Sequence, residues 1–283
     1  KCSDDFLWLP LCVADYIEKT GDYGILRLEI PYLVSEPLGE NSERYEAAGR
    51  TDYKESLYMH CVRAIEHGKN YGSHGLPLIG SCDWNDAFSA LGEGAESVFC
   101  AFLYVITLKR FANVARVMDD NVYANGCLAE AKTLLERAEG CYDKSRFVRA
   151  YTGYGAPLGT EGRAACDIDI LVQSFAVFAE ADKQKCKAAL ENAYNLLYDS
   201  DNKLIKLFAP PFGRDTEYAG YINAYAKGVR ENGGQYTHAA VWFTAALAMM
   251  GMKEEAFTLL NGINPLKRAE DKILFSRYKA EPY

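Results

Sequence analysis

The residues best suited to chemistry lie in the stretch Gly75-Leu76-Pro77-Leu78-Ile79-Gly80-Ser81-Cys82-Asp83-Trp84-Asn85-Asp86-Ala87-Phe88. Two carboxylates three positions apart, with an indole and an amide between them, serve no helical core. They suit a polar pocket with one aromatic wall. Sugars bind such surfaces, because their hydroxyls need acceptors and their C–H faces need a ring. A carboxyl beside a ring in a partly dry cleft also keeps its proton at neutral pH, as a general acid for a glycosidic oxygen must. The competing explanation is an Asx-rich turn with no chemistry.

A second group is Gly228-Val229-Arg230-Glu231-Asn232-Gly233-Gly234-Gln235-Tyr236-Thr237-His238-Ala239-Ala240. Adjacent glycines let a backbone approach a ligand and present N–H groups, and Arg230 and His238 add cationic or donor character. Such a patch suits an anion. His238 opens an apolar run (Ala239, Val241, Trp242, Phe243, Ala246, Leu247) that predicts a buried helix, so its ring is expected at the anion-favouring N-terminal end. A plain helix-entry turn with a capped core histidine explains the same residues.

Two further clusters sit at predicted helix entrances. Ser3-Asp4-Asp5-Phe6-Leu7-Trp8 reads as an N-cap (Ser3 or Asp4) with Trp8 in the core. Cys166-Asp167-Ile168-Asp169, with Gln173 beyond, reads as a dipole partner and a packing residue.

The elements that must position these groups are mostly helical. Helices are expected over 10–20 (ended by Gly21), 52–71, from Glu96-Ser97 onward, 121–139, 165–182, 184–198, from His238 onward and 253–261. The helix after Ser97 is apolar nearly all round, and so is predicted to be buried. Residues 22–51 read as a loop with a short lip at Tyr32-Leu33, 147–151 as a small strand, and 199–230 as a long irregular stretch of the kind that carries function. Eight or nine helices in pairs, with long motif-bearing loops and almost no strand, fit an all-α helical toroid.

With 283 residues, 49% of them apolar and 25% charged, the chain can bury a large core as a single domain, 1–283. A formal net charge of -8 argues against a nucleic-acid partner. The nine cysteines have no C-x-x-C and no metal-ligand spacing with histidine, so a reducing, cytoplasmic setting is expected and no metal. Cys12, Cys61, Cys100 and Cys186 are expected as buried thiols. No run of about 18 apolar residues is recognised, and no membrane partner is expected. His60 and His67 read as solvated or core-edge side chains.

The order of these blocks resembles glycoside hydrolase family 94, the inverting cellobiose, chitobiose and related β-glucoside phosphorylases, and the phosphorylase-like domain of cyclic β-glucan synthases. That family reads Gly-Asp-Trp-Asn-Asp-Gly-Met where this chain has Cys82 before Asp83, and Ala87 and Phe88 after Asp86. The resemblance extends to Ser-Asp-Asp-x-Leu-Trp, to Arg149-Ala150-Tyr151 followed by Pro157-Leu158-Gly159, and to the Arg230–His238 block. It implies an (α/α)6 barrel, incomplete at both ends in this chain, with a preceding β-sandwich outside it. By resemblance Asp86 is the general acid. Asp4 or Asp5 binds donor-sugar hydroxyls, Trp84 lines the sugar site, Arg230 and Glu231 contact sugar, and His238 holds phosphate. Arginines upstream of Ser3 and a Thr-Gly pair nearer the family's C-terminus have no counterpart here.

The activity implied is inverting phosphorolysis of a β-linked glucoside or oligosaccharide. Inorganic phosphate is the co-substrate, with no cofactor, and a homodimer is among the implied assemblies. The alternatives are an inverting hydrolase on the same toroid, with Glu231, Asp167 or Asp169 as base, and an inactive carbohydrate-binding segment of a larger glucan-processing protein.

Overall fold

The computed structural model of the chain describes residues 2–37, 39 and 45–279. Helix α1 (Asp5–Thr20) starts five residues earlier than expected and carries Pro10 inside it. Gly21, at φ 68°, ends it as predicted. Asp4 occupies the N-cap position without a side-chain capping bond. Helix α2 (Leu57–Gly68) is shorter than the predicted 52–71, because 52–56 belong to a strand. The long helices α3 (Val98–Val117) and α4 (Asn121–Gly140) follow, then α5 (Ile170–Phe178), α6 (Lys183–Leu197), α7 (Thr237–Met249) and α8 (Lys253–Ile263). Two short helices, α9 (Pro265–Glu270) and α10 (Lys272–Tyr278), make ten among the described residues.

The packing is that of a toroid. Odd-numbered helices α1, α3, α5 and α7 contact one another in sequence, and each is backed by its successor: α2, α4, α6 and α8. The arc therefore holds four successive αα pairs of an (α/α)6 ring, with an inner and an outer layer. Sequence follows layer. α3 is buried at Phe99, Phe102, Val105, Leu108 and on nearly every other face, because inner neighbours and an outer partner surround it. By length and composition α3 could cross a membrane, contrary to the sequence reading, yet 83% of its apolar window is buried inside the fold. The outer helix α4 buries only one stripe, Ala124, Cys127, Ala131, Leu134 and Ala138.

Strand content is larger than expected, though most of it is minimal. The stretch read as a loop over 22–51 contains a 3-10 turn (Tyr23–Arg27) and a hairpin of β1 (Glu29–Val34) with β2 (Gly49–Ser56), bulged between Pro31 and Leu33. Tyr32-Leu33, expected as a lip, lies in that hairpin, which leans on α2, while residues 38 and 40–44 lie outside the described residues.

The other strands have two residues each. β4 (Tyr142–Asp143) pairs with β5 (Arg146–Phe147), and β9 (Tyr198–Asp199) with β10 (Leu204–Ile205). β6 (Ala150–Tyr151) lies between β3 (Glu96–Ser97) and β7 (Pro157–Leu158), and β8 (Ile168–Asp169) pairs with β11 (Phe208–Ala209). These last five strands join the loops that precede α3, α5 and α7. Of the four thiols expected to be buried, Cys61, Cys100 and Cys186 are, and Cys12 is exposed, because it falls on the outward side of α1.

Candidate functional site

The four inner helices meet through aromatic rings, those of α1, α3 and α7 in their N-terminal halves and that of α5 near its middle. Trp8 of α1 stacks on Trp242 of α7 at 5.8 Å between centroids, and Phe175 of α5 packs edge-on against Trp242 at 5.1 Å and against Phe99 of α3 at 4.8 Å. The inner helices therefore share one direction, and their positive dipole ends and preceding loops gather at one end of the ring. The candidate sugar- and phosphate-binding residues and the candidate acid lie at this end. Asp4 and Asp5 open α1, Asp83 to Asp86 precede α3, and Arg230 to His238 enter α7.

The two carboxylates of the Asp83–Asp86 turn have opposite fates. Asp83 is fully buried. Arg149 donates to both its oxygens, Nη1 to Oδ2 and Nη2 to Oδ1, each at 2.7 Å, and the Ser97 hydroxyl donates to Oδ2 at 2.7 Å. The Asn85 N–H closes an Asx turn onto Oδ1 at 3.0 Å. Burial pushes the Asp83 carboxyl up, but the Arg149 charge and these hydrogen bonds outweigh it and hold it below the usual carboxylate range. Asp83 is thus an ionised brace.

Asp86 faces outward. Partial burial raises its carboxyl above the usual range, and the carboxylates of Glu231, Asp5 and Asp83 raise it further, against a smaller opposing pull from Arg230. Of the two, Asp86 alone combines an open position with a raised carboxyl, the properties that general-acid chemistry requires.

Arg149 is the residue the sequence reading undervalued. It is fully buried, and its Nε also faces Asp169 Oδ2 at 3.3 Å. Its guanidinium lies 5.4 Å from the ring centres of both Phe88 and Phe99. Asp169 caps α5 through the Leu171 N–H at 2.6 Å. Burial pushes Asp169 up to about 6, against the pull of Arg149. One cation thus ties the acid loop to the start of α5. Its signal in the sequence was a lone arginine in the β-branched, aromatic segment 147–151. The expected single strand there is two, β5 and β6, and the Gln173 side-chain amide accepts from the N–H and donates to the carbonyl of Phe147 in β5. The expected helix 165–182 is confined to 170–178, because β8 takes its first part.

Around Asp86 the walls are aromatic. The Trp84 ring packs edge-on against Tyr236 at 5.2 Å and Trp242 at 5.8 Å, with His238 at 6.1 Å. His238, the second residue of α7, is exposed and stacks flat on Trp242 at 5.0 Å. Tyr236 and Tyr221 escaped the sequence reading. Burial raises the Tyr221 hydroxyl to about 12, and the Asp86 charge adds to it.

On the other side, Arg230 adopts φ 53°, lies 4.9 Å over the Tyr225 ring and pairs with Glu231 at 3.3 Å. Glu231 is 4% exposed. Asp4 is buried too and accepts from Trp8 Nε1 at 2.8 Å. Burial pushes its carboxyl up to about 6, partly offset by that bond, with Asp83 and Asp5 adding repulsion. Asp5 is exposed on the first turn of α1.

The expectation for the glycine pair needs correction. Gly233 and Gly234 are buried. A Cβ on Gly234 would meet the Arg230 and Gly228 carbonyls at 2.9 Å, and one on Gly233 the Phe208 carbonyl at 3.0 Å. These glycines serve close packing of their own loop, not the approach of a ligand. Ala87 and Phe88, where the family pattern is broken, are fully buried. Phe88 packs beneath the Arg149 guanidinium, against Phe208 and Phe212, and the Ala87 carbonyl accepts from the Ile222 N–H. Cys82 does reach the site. Its thiol lies 4.0 Å from Asp86 Oδ1 and 2.7 Å from the Cys2 sulfur. Cys2, Cys82 and Asp86 are the donor group among the described residues whose atoms all converge within 4.8 Å. A cavity of about 390 Å3 lies behind this loop, lined by Ser3, Phe6, His67, Gly80 and Tyr104 among others, and holds none of the carboxylates named above.

Comparison with known proteins places this geometry among carbohydrate-active domains. The family model of the glycosyl hydrolase 94 superfamily catalytic domain matches residues 1–283. Cyclic beta-(1,2)-glucan synthase NdvB of Rhizobium meliloti is 34% identical over 99% of this chain and 10% of its own length. N,N'-diacetylchitobiose phosphorylase of Vibrio furnissii is 26% identical over 100% of this chain and 33% of its own. Solabiose phosphorylase of Paenibacillus borealis is 28% identical over 93% and 33%. The chain thus spans a third or less of the length of these relatives. The solved structure of cellobiose 2-epimerase from Bacillus thermoamylovorans aligns with a TM-score of 0.43 at 12% identity, over 76% of this chain and 55% of that one, a likeness that carries no argument.

Proposed function

We propose that this chain, which belongs to the glycosyl hydrolase 94 superfamily as a catalytic domain, performs inverting phosphorolysis of a β-linked glucoside. Asp86 donates its proton to the glycosidic oxygen as the bond to the anomeric carbon breaks and that carbon gains oxocarbenium character. Inorganic phosphate attacks the same carbon from the opposite face. The products are an α-sugar 1-phosphate and the released acceptor, which keeps the Asp86 proton. Asp4 and Asp5 accept from donor-sugar hydroxyls, Trp84 supplies the apolar wall, and Arg230 with Glu231 contacts sugar. His238 sits where an anion is favoured, at the α7 N-terminus.

The observation that carries this reading is the division of labour in the acid loop. Asp83 is locked ionised against Arg149, while Asp86 stands open with a raised carboxyl.

The hydrolytic alternative needs a second carboxylate free to activate water, at roughly 6.5–9.5 Å from the acid. Each candidate is already engaged. Asp169 pairs with Arg149 at 3.3 Å, Asp167 with Arg146 at 2.6 Å, and Glu231 with Arg230 at 3.3 Å. Phosphate is itself a nucleophile and needs no such base, so the absence of a disengaged carboxylate among these three favours phosphorolysis.

The test incubates the protein with a panel of β-linked disaccharides and glucans, with and without inorganic phosphate, and assays sugar 1-phosphate and free sugar together. Phosphate-dependent sugar 1-phosphate that disappears in Asp86→Asn is the expected result. Equal release of free sugar without phosphate overturns the phosphorylase reading. No product under either condition favours the segment without activity of its own.

A further inference from the structure

Cys2 and Cys82 are 80 positions apart in the chain, yet their sulfurs face each other at 2.7 Å. The backbones around them are already coupled. Cys2 bridges to Cys82 in parallel register and to Gly80 in antiparallel register, and the Ser3 N–H donates to the Cys82 carbonyl at 3.0 Å. Cys2 is half-buried and Cys82 is buried, so a small reagent reaches the pair through Cys2.

The same atoms, with Asp86, also invite a cation. Two thiolates on one tetrahedral zinc-like ion, each about 2.3 Å from the metal, stand about 3.7 Å apart. A cation would therefore force these sulfurs apart, whereas a covalent bond draws them in the direction they already lie. We propose that Cys2 and Cys82 form a reversible thiol–disulfide pair, a modification site that staples the segment entering α1 to the loop carrying Asp86.

The chemistry balances with a low-molecular-weight disulfide as oxidant. The Cys2 thiolate attacks one sulfur of the reagent, forming a mixed disulfide and expelling a thiolate. The Cys82 thiolate then attacks Cys2 Sγ in that mixed disulfide and expels the second thiolate. Two electrons pass from the protein to the reagent, and the two protons of Cys2 and Cys82 end on the released thiols or in solvent. The pair needs no sugar, phosphate or proton transfer at Asp86, so its test stands apart from that of the reaction.

Carboxylates surround the entry. Asp5, Asp86 and Asp4 all act on Cys2, whose thiol is raised first by burial and then by these charges, against the contact with Cys82. A cationic disulfide such as cystamine should react several-fold faster than anionic glutathione disulfide at low salt, and the two rates should converge as salt rises. Once closed, the link spans an 80-residue loop. By restricting the unfolded chain it should raise the melting temperature by about 5–8 °C.

The experiment uses the whole chain in a Cys12→Ser background, because Cys12 is exposed. Treatment with cystamine should remove two titratable thiols, yield a peptide joining Cys2 to Cys82 in the non-reducing digest, and raise the melting temperature reversibly with dithiothreitol. Cys2→Ser and Cys82→Ser should each abolish the linked peptide and the rise. Oxidised and reduced forms of the Cys12→Ser protein make the comparison without any variant at the pair. A mixed disulfide that persists at Cys2, a link to a different cysteine, or a closed Cys2–Cys82 bond with no rise in melting temperature would overturn the proposal.

Discussion

Replacing Arg149 by methionine separates an electrostatic brace from mere packing. The side chain is fully buried between two carboxylates, Asp83 and Asp169, themselves 0% and 1% exposed. Arg149→Met leaves both buried without a cation, whereas Asp83→Asn leaves Arg149 paired with Asp169 one to one. Breaking a buried pair costs about 3–5 kcal/mol. The asymmetry puts Asp83→Asn near the lower figure and Arg149→Met near the upper.

An unfolding entropy of about 2.1 cal/mol/K per residue gives a chain of this length about 0.6 kcal/mol/K. The melting temperature should then fall by about 5 °C for Asp83→Asn and about 8 °C for Arg149→Met. The sign of the pH dependence is the sharper test. Without Arg149, burial and the mutual repulsion of the two acids oppose only the bonds from Ser97, Asn85 and Leu171, and the folded pKa values should rise above the unfolded ones. Stability is then gained as pH falls towards the unfolded carboxylate range and lost as pH rises through the folded values. Calorimetry at pH 5 and pH 7.5 should therefore show a smaller Arg149→Met deficit at pH 5. Equal deficits at the two pH values, or a larger cost for Asp83→Asn, would refute the charge argument and leave only lost packing.

Other consequences follow from the same geometry. Asp86→Asn should lower kcat by about 10²–10⁴-fold while the melting temperature stays within a degree or two, since the side chain is exposed; steady-state phosphorolysis and thermal unfolding check both. Because the acid must carry its proton, the rate should fall as pH rises through the raised Asp86 value. Glu231→Gln should move that limb to lower pH and Arg230→Met to higher pH, as pH–rate profiles would show. His238→Ala should raise the KM for phosphate about tenfold or more, with a smaller effect on the sugar KM, in initial-rate kinetics with each substrate varied. Phe88→Ala should destabilise the fold by about 3–5 kcal/mol in denaturant titration, because its ring fills the floor against Phe208 and Phe212.

The sequence disclosed the site's place more fully than its wiring. Asp83-Trp84-Asn85-Asp86 stands out because no helix face needs it, and His238 because an apolar run follows. Residue type cannot say which of two aspartates is buried and braced and which stands open. That is decided by Arg149, 66 positions away, through a contact with no local signature. The inner helices were legible from their apolar periodicity. The hairpin was not, since 49–56 (Gly-Arg-Thr-Asp-Tyr-Lys-Glu-Ser) is mostly exposed and lacks the alternation of a half-buried strand. Its acidic and basic residues read instead as the first turn of α2. Two-residue strands such as β8 and β11 carry no period at all, because their pairing is imposed by the packing of distant loops.

Those minimal strands form a collar. β3, β6 and β7 tie the entry of α3 to that of α5, and β8 with β11 ties the entry of α5 to the approach of α7. Each tie joins neighbouring sectors of the ring at the end where Asp86 and His238 sit. Thermal breathing of one sector should therefore be transmitted to the next at this rim, and this end of the ring should open as a unit. Amide protons along the collar, among them those of Ser97 (donating to the Pro77 carbonyl), Val98 (to Arg149, across to the next connection) and Arg149 (to Leu158), then belong to the slowest-exchanging class, beside the core of α3. Loops outside the collar, such as the hairpin on α2, should tolerate insertions or changes of sequence without disturbing the placement of Asp86.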